Sequence, residues 1–175
     1  KIPEGPSHSA EALYLLGVSY RDLGDLESSA SAMERALALA SSSGASWAAE
    51  SLEILGEYYS SLGREATLER LNHTLADNQE DSAAYYFRGQ VFVKMGLLDK
   101  AFDDFNRSFD LGFRWHGVLA ARGRIAHILG IPWNTINDLN NAILQDPKNA
   151  EYYAYRGEFN RSLGNITAAA RKDLE

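Results

Sequence analysis

An all-α solenoid of about five stacked helix-turn-helix units is the fold the sequence predicts, and three observations predict it. A glycine pair seven residues apart occurs five times, at Gly17/Gly24, Gly56/Gly63, Gly89/Gly96, Gly123/Gly130 and Gly157/Gly164. The first glycines of these pairs are 39, 33, 34 and 34 residues apart, a nearly constant period. Around them apolar residues fall three and four apart, as at Leu13, Leu16 and Tyr20 and again at Leu52, Leu55 and Tyr59, which marks one face of a helix. Strand-like alternation appears nowhere at length.

The pattern predicts paired helices over 8–23 and 26–42, 45–62 and 64–76, 82–95 and 98–111, 115–129 and 133–145, and 149–163 and 166–175, after a flexible segment 1–7. In each unit the first glycine sits mid-helix, where it costs about 1 kcal/mol against alanine. Its missing side chain is expected to let the partner helix approach. The second glycine follows Leu23, Leu62, Met95, Leu129 or Leu163, where a left-handed residue ends a helix. Pro132 suits the first turn of the helix that follows Gly130, since its missing N–H is not needed there. "ALASSSGAS" over 38–46 lengthens one connection and "ADNQEDS" over 76–82 is a polar turn, while the spacing of 33 implies a shorter connection. One domain over 8–175 is expected, with repeats at about 10–43, 49–81, 82–115, 116–149 and an incomplete 150–175. The short last helix predicts either a continuation of the array or burial of this end against another copy, so a homo-oligomer through the C-terminal repeat is one expectation. The closing Leu174-Glu175 matches a common cloning scar.

Composition narrows the function classes. A hydrophobic content of 45% over 175 residues suffices for a core, and the absence of cysteine removes thiolate metal sites and cysteine nucleophiles. No apolar run approaches the roughly 18 residues of a membrane span, so no membrane insertion is expected; the compartment, cytoplasmic or periplasmic, is left open. The net charge of −7 argues against nucleic acid as a partner, because phosphate contacts need clustered Lys and Arg. That charge is uneven: residues 1–81 hold 5 Lys and Arg against 14 Asp and Glu, and residues 82–175 hold 12 against 10.

These residues resemble the tetratricopeptide repeat family, whose unit of about 34 residues pairs a bulky-x-x-Leu-Gly-x-x-aromatic helix with an Ala-x-x-x-aromatic helix, often followed by proline. Leu119, Gly123, Leu129-Gly130, Leu139, Ala142 and Pro147 fit the fourth unit, and Tyr85, Gly89, Phe92, Gly96, Ala101 and Phe105 the third. Leu16-Gly17-Tyr20 and Leu55-Gly56-Tyr59 fit the first two, while Asn160 replaces an aromatic and Ser29 and Leu68 replace the second-helix alanine. The resemblance implies a right-handed solenoid whose first helices line a concave surface that holds a peptide or protein partner. Carried over by offset, that surface offers Tyr14 in unit one, Glu50, Glu53 and Glu57 in unit two, Tyr86 and Gln90 in unit three, Arg124 and His127 in unit four, and Tyr155 and Arg161 in unit five. Unit two would be acidic and the later units aromatic and basic. The Lys and Asn clamp by which some members grip a chaperone tail is absent, since Tyr14, Val18 and Ile54 stand at its offsets.

Three arginines recur beside the first glycine, Arg88, Arg122 and Arg156, where the earlier units place Leu16 and Leu55. Asp104 and Asp138 lie 16 residues after the first two, which predicts an ion pair inside each unit; in unit five that offset falls on Lys172, beside Asp173. Catalysis has no support in the sequence. His8, His73, His116 and His127 lack the spacing of a helical metal site, the adjacent Asp103 and Asp104 project about 100° apart, and no phosphate-cradling glycine loop is present. The expectation is a protein-interaction module, not an enzyme and without a cofactor or metal; the alternative is a structural or self-assembling segment that packs through its terminal repeat.

Overall fold

A computed structural model describes residues 6–39 and 47–172, and among them every regular element is helical. They fall into two compact units that divide between Phe113 and Arg114. The first unit holds α1 (Pro6–Asp22), α2 (Leu26–Leu39), α3 (Ala48–Leu62), α4 (Arg64–Asp77), α5 (Ser82–Lys94) and α6 (Leu98–Asp110). The second holds α7 (His116–Ile128), α8 (Pro132–Gln145) and α9 (Ala150–Lys172). The segment expected to be flexible, 1–7, lies outside the described residues except for Pro6 and Ser7, which open α1, and most of the long connection 38–46 lies outside them too.

Helix ends follow the glycines, with two informative exceptions. Gly24, Gly96 and Gly130 have φ of 81°, 75° and 73°, and each closes its helix with a long backward bond: Asp25 N to Tyr20 O at 2.9 Å, Leu97 N to Phe92 O at 2.9 Å and Ile131 N to Ala126 O at 2.8 Å. Gly63 also has positive φ, 82°, but with ψ of 166° it is extended and serves both as the end of α3 and the start of α4. That one-residue turn explains the spacing of 33: the missing residue comes out of the turn inside the second pair, not from the connection between pairs. It also moves the register, so that Thr67, 1% exposed, takes the seat assigned to Leu68. The Thr67 hydroxyl lies within hydrogen-bond distance of two carbonyls, Tyr59 at 2.8 Å and Gly63 at 2.7 Å, and has one proton to share between them, while the Ser29 hydroxyl donates to the Gly17 carbonyl at 2.8 Å. A hydroxyl replaces the small alanine by bonding the facing helix. The other exception is Gly164, which is not a turn: α9 runs through it to Lys172, so residues 166–172 of the separate helix expected over 166–175 continue this helix, and 173–175 lie outside the described residues.

The cores lie between paired helices. Met33 is fully buried and reaches Gly17, where an added Cβ would lie 2.9 Å from its Cε. Phe105 is fully buried against Gly89, where the same atom would meet its ring at 2.6 Å. At Gly123 the close neighbours are the Thr135 carbonyl and Asp138 Cβ, both at 3.2 Å. Close approach therefore accounts for three of the five mid-helix glycines. At Gly56 and Gly157 nothing lies within 4 Å of that position. Two polar starts anchor the helices: Asp25 accepts from Ser28 N at 3.0 Å, and the buried Asp81 accepts from Ala84 N at 2.9 Å.

Candidate functional site

The second unit brings three sequence-selected residues to one place. Arg124 and His127 are one turn apart on α7, Tyr155 and Glu158 are one turn apart on α9, and with Ile128 and Leu139 they line a hollow of about 150 Å³. The Arg124 guanidinium lies 5.1 Å from the centre of the Tyr155 ring, a cation–π contact, and His127 meets Phe159 edge-on at 5.4 Å. Phe159 is 3% exposed, so this edge contact fixes the imidazole on the rim of the core. No hydrogen bond or ion pair joins Arg124, His127 or Glu158 to another of the described residues. The hollow thus offers a stacked, unpaired guanidinium, a carboxylate, an imidazole and an apolar floor. Arg161 is exposed further along α9.

The first unit treats its selected residues differently. Tyr14 and Glu50 meet across α1 and α3 through a hydrogen bond from the tyrosine hydroxyl at 2.5 Å, and Arg21 donates to the other carboxylate oxygen at 3.0 Å. The Tyr14 hydroxyl and then Arg21 hold the Glu50 carboxyl below its ordinary range, while the same bond raises the Tyr14 hydroxyl. Tyr14 also stacks on Trp47, with centroids 5.4 Å apart. Glu50 is therefore tied into a helix-to-helix network, and the acidic strip retains Glu53 and Glu57 as its exposed members. Tyr86 is placed differently from Tyr14. Only 7% exposed, it packs on Phe87, Phe105 and Phe113, and burial pushes its hydroxyl up to about 12. Gln90, half-buried, donates to that hydroxyl at 2.8 Å.

The arginines are packing devices. Arg88 grips Asp104 through two bonds of 2.8 Å, and Arg122 grips Asp138 at 2.7 and 2.6 Å. Both Arg122 and Asp138 are buried, and the matched fork and carboxylate satisfy each other there. Arg156 differs: it donates to Asn140 at 2.8 Å, as Arg88 also donates to Asn72 at 3.0 Å, and stacks over Tyr153 at 5.5 Å. The bonds to Asn72 and Asn140 were readable in the sequence as asparagines 16 residues before the arginines. Leu16, at the same offset as Arg88, is 43% exposed, whereas Leu55 is fully buried, because α3 packs on α2 and no described helix precedes α1. A further contact, His116 Nδ1 to Tyr152 hydroxyl at 2.8 Å, joins α7 to α9 and had no distinguishing spacing.

Among the described residues no cluster of three or more His, Asp or Glu is placed to hold a metal, and no helix is long and apolar enough to cross a membrane. What the geometry defines is a helical-hairpin repeat array in which each first helix carries a mid-helix glycine. Known proteins with the same kind of repeat resemble parts of this chain. The family described as Tetratricopeptide repeat matches residues 10–43. Human tetratricopeptide repeat protein 16 is 29% identical over 111 residues, 59% of this chain and 13% of that protein, and the Macaca fascicularis protein of the same name matches equally. The chain spans 13% of the length of these curated relatives. A solved tetratricopeptide repeat protein from Parabacteroides merdae superposes with a TM-score of 0.55 at 19% identity, over 94% of this chain and 64% of that one. A thermophilic repeat protein of Thermus thermophilus gives 0.50 at 19% identity, over 90% and 84%. Residues 10–43 thus match the tetratricopeptide repeat family, and the fold is the α-solenoid of the tetratricopeptide repeat structures. Proteins of this family bind protein or peptide partners and are typically scaffolds without enzymatic activity.

Proposed function

We propose that this chain is a non-enzymatic interaction module and that the hollow between α7 and α9 seats one side chain of a bound peptide or protein segment. The observation that carries the reading is the unpaired Arg124 guanidinium, stacked on Tyr155 above an apolar floor of Ile128 and Leu139. A volume of about 150 Å³ accommodates a single side chain, not a small-molecule substrate in a closed site. Arg124 favours an acidic or aromatic group there, the first by charge-assisted hydrogen bonds and the second by stacking. In the first unit, exposed Glu53 and Glu57 favour basic residues in the ligand. Selection from a random peptide library, followed by titration of the winners at two salt concentrations, tests this. Acidic or aromatic winners whose affinity falls with salt and is lost in Arg124→Ala support it; apolar winners indifferent to both overturn it.

A second reading, a structural segment that packs through a terminal repeat, is favoured by Leu15, Leu16, Leu23 and Leu26, which are 56%, 43%, 81% and 46% exposed on the first hairpin. A melting temperature that rises with protein concentration is its signature.

A further inference from the structure

We infer that the hollow between α7 and α9 selects a tyrosine side chain of a bound segment, stacking its ring on Arg124 and taking its hydroxyl proton on Glu158. The inference rests on the reading of this hollow as a side-chain seat and narrows what the seat accepts. The chain builds the same arrangement for itself in its first unit. Arg70 of α4 lies 5.2 Å from the centre of the Tyr58 ring, much as Arg124 lies 5.1 Å from that of Tyr155. Its guanidinium holds Glu34 of α2 through two bonds of 3.2 Å, and the same carboxylate accepts from the hydroxyl of a second tyrosine, Tyr59, at 2.5 Å. A related trio joins α1 to α3, where Glu50 accepts from the Tyr14 hydroxyl at 2.5 Å and from Arg21 at 3.0 Å. In the hollow the stacked arginine, its tyrosine and a carboxylate, Glu158, are all present. The hydroxyl donor has no counterpart there among the described residues.

The two charges of the hollow discriminate among the groups that Arg124 alone would admit. An Asp or Glu side chain meets the like charge of Glu158 within a space of about 150 Å³, and a phenylalanine ring covers that carboxylate without giving it a donor. A Lys or Arg side chain suits Glu158 but faces the charge of Arg124. A phenol is neutral, offers an aromatic face to the guanidinium and carries one strong donor for the carboxylate. All nine tyrosines of the chain are among the described residues, and of these Tyr155 lines the hollow as its stacking platform. The exposed one, Tyr153, gives its hydroxyl to the Pro147 carbonyl at 3.1 Å and its ring to Arg156 at 5.5 Å, so a second copy offers no free exposed phenol.

The test uses the full chain and capped peptides of the form acetyl-Ala-Ala-X-Ala-Ala-amide, with X as Tyr, Phe, Gln or Glu, titrated at pH 7 and followed by amide chemical shifts. Saturable shifts over residues 124–128 and 155–159 are expected, with the Tyr peptide roughly tenfold tighter than the Phe and Gln peptides and the Glu peptide weakest. Glu158→Ala brings the Tyr and Phe peptides to equal affinity and strengthens the Glu peptide, whereas Arg124→Ala weakens Tyr and Phe alike. Arg124 and Glu158 are both exposed, and melting temperatures within a few degrees of the parent confirm that the variants fold. Equal binding of Tyr and Phe by the parent, a Tyr advantage that survives Glu158→Ala, or tightest binding by the Gln or Glu peptide overturns the inference. If such binding still depends on Arg124, the side-chain seat itself stands. No saturable shift at these residues with any of the peptides overturns both.

Discussion

The glycines that look alike in the repeat differ in what replaces them well. At Gly89 a methyl group would sit 2.6 Å from the Phe105 ring, which is fully buried and cannot retreat. Gly89→Ala should therefore destabilise by about 1–3 kcal/mol despite alanine's better helix propensity. At Gly157, with open space and helical backbone, the same change should stabilise by up to about 1 kcal/mol. Opposite shifts in melting temperature for the two variants check this; equal shifts contradict it. The arginines behave by the same logic of fit. Arg122→Leu strands Asp138, 3% exposed, and should cost about 3–5 kcal/mol, whereas Arg122→Leu with Asp138→Leu should recover most of it. Denaturant titration of both variants measures the difference. Position and partner of the Arg88 and Arg122 ion pairs were legible in the sequence because Asp104 and Asp138 each stand 16 residues after the arginine, on the facing helix. The burial of Tyr86 was not legible, because the offset fixes a helix face but not how large a ring turns in toward Phe105 and Phe113.

At the scale of elements, turns were the least readable feature. Four of the five second glycines end helices with positive φ, and the sequence marks all five alike. Gly164 is followed by "NITAAARK", a run with three alanines in succession, and helix propensity there outweighs the turn that glycine would otherwise favour. Gly63 shows the converse, where one residue does the work of two and slides the α4 register to bury Thr67. How α7 and α9 are joined gives a prediction in pH. Burial lowers the His116 pKa, with Asp146 opposing, and the neutral ring exchanges a hydrogen bond with the Tyr152 hydroxyl. A histidine whose folded pKa lies below its unfolded value takes up a proton more readily when unfolded. Its contribution is complete above the unfolded value, near 6.5, and is lost as the pH falls through the folded value. The melting temperature should thus decline between about pH 7 and pH 5, and His116→Gln should flatten that part of the profile. A decline of unchanged size in His116→Gln would assign the effect to carboxylates instead.

For the molecule as a whole, the acidic and near-neutral halves of the sequence correspond to distinct uses of charge. In the first unit Glu50 and Glu34 are drawn into bonds with Tyr14, Arg21, Tyr59 and Arg70, so these two carboxylates are held between helices. In the second, Arg124 is left stacked and unpaired beside His127 and Glu158. That contrast underlies the proposed module: internal pairs hold the hairpins together, and an uncommitted guanidinium on a rigid pair of helices remains for a ligand. The most direct measurement of the claim is an amide chemical-shift titration of the intact chain with a selected peptide, repeated with Arg124→Ala and Tyr155→Ala. The account predicts saturable shifts clustered over residues 120–128 and 151–161, and an affinity at least tenfold weaker in both variants with melting temperatures within a few degrees of the parent. Shifts that cluster elsewhere, or an affinity unchanged in both variants, would contradict it.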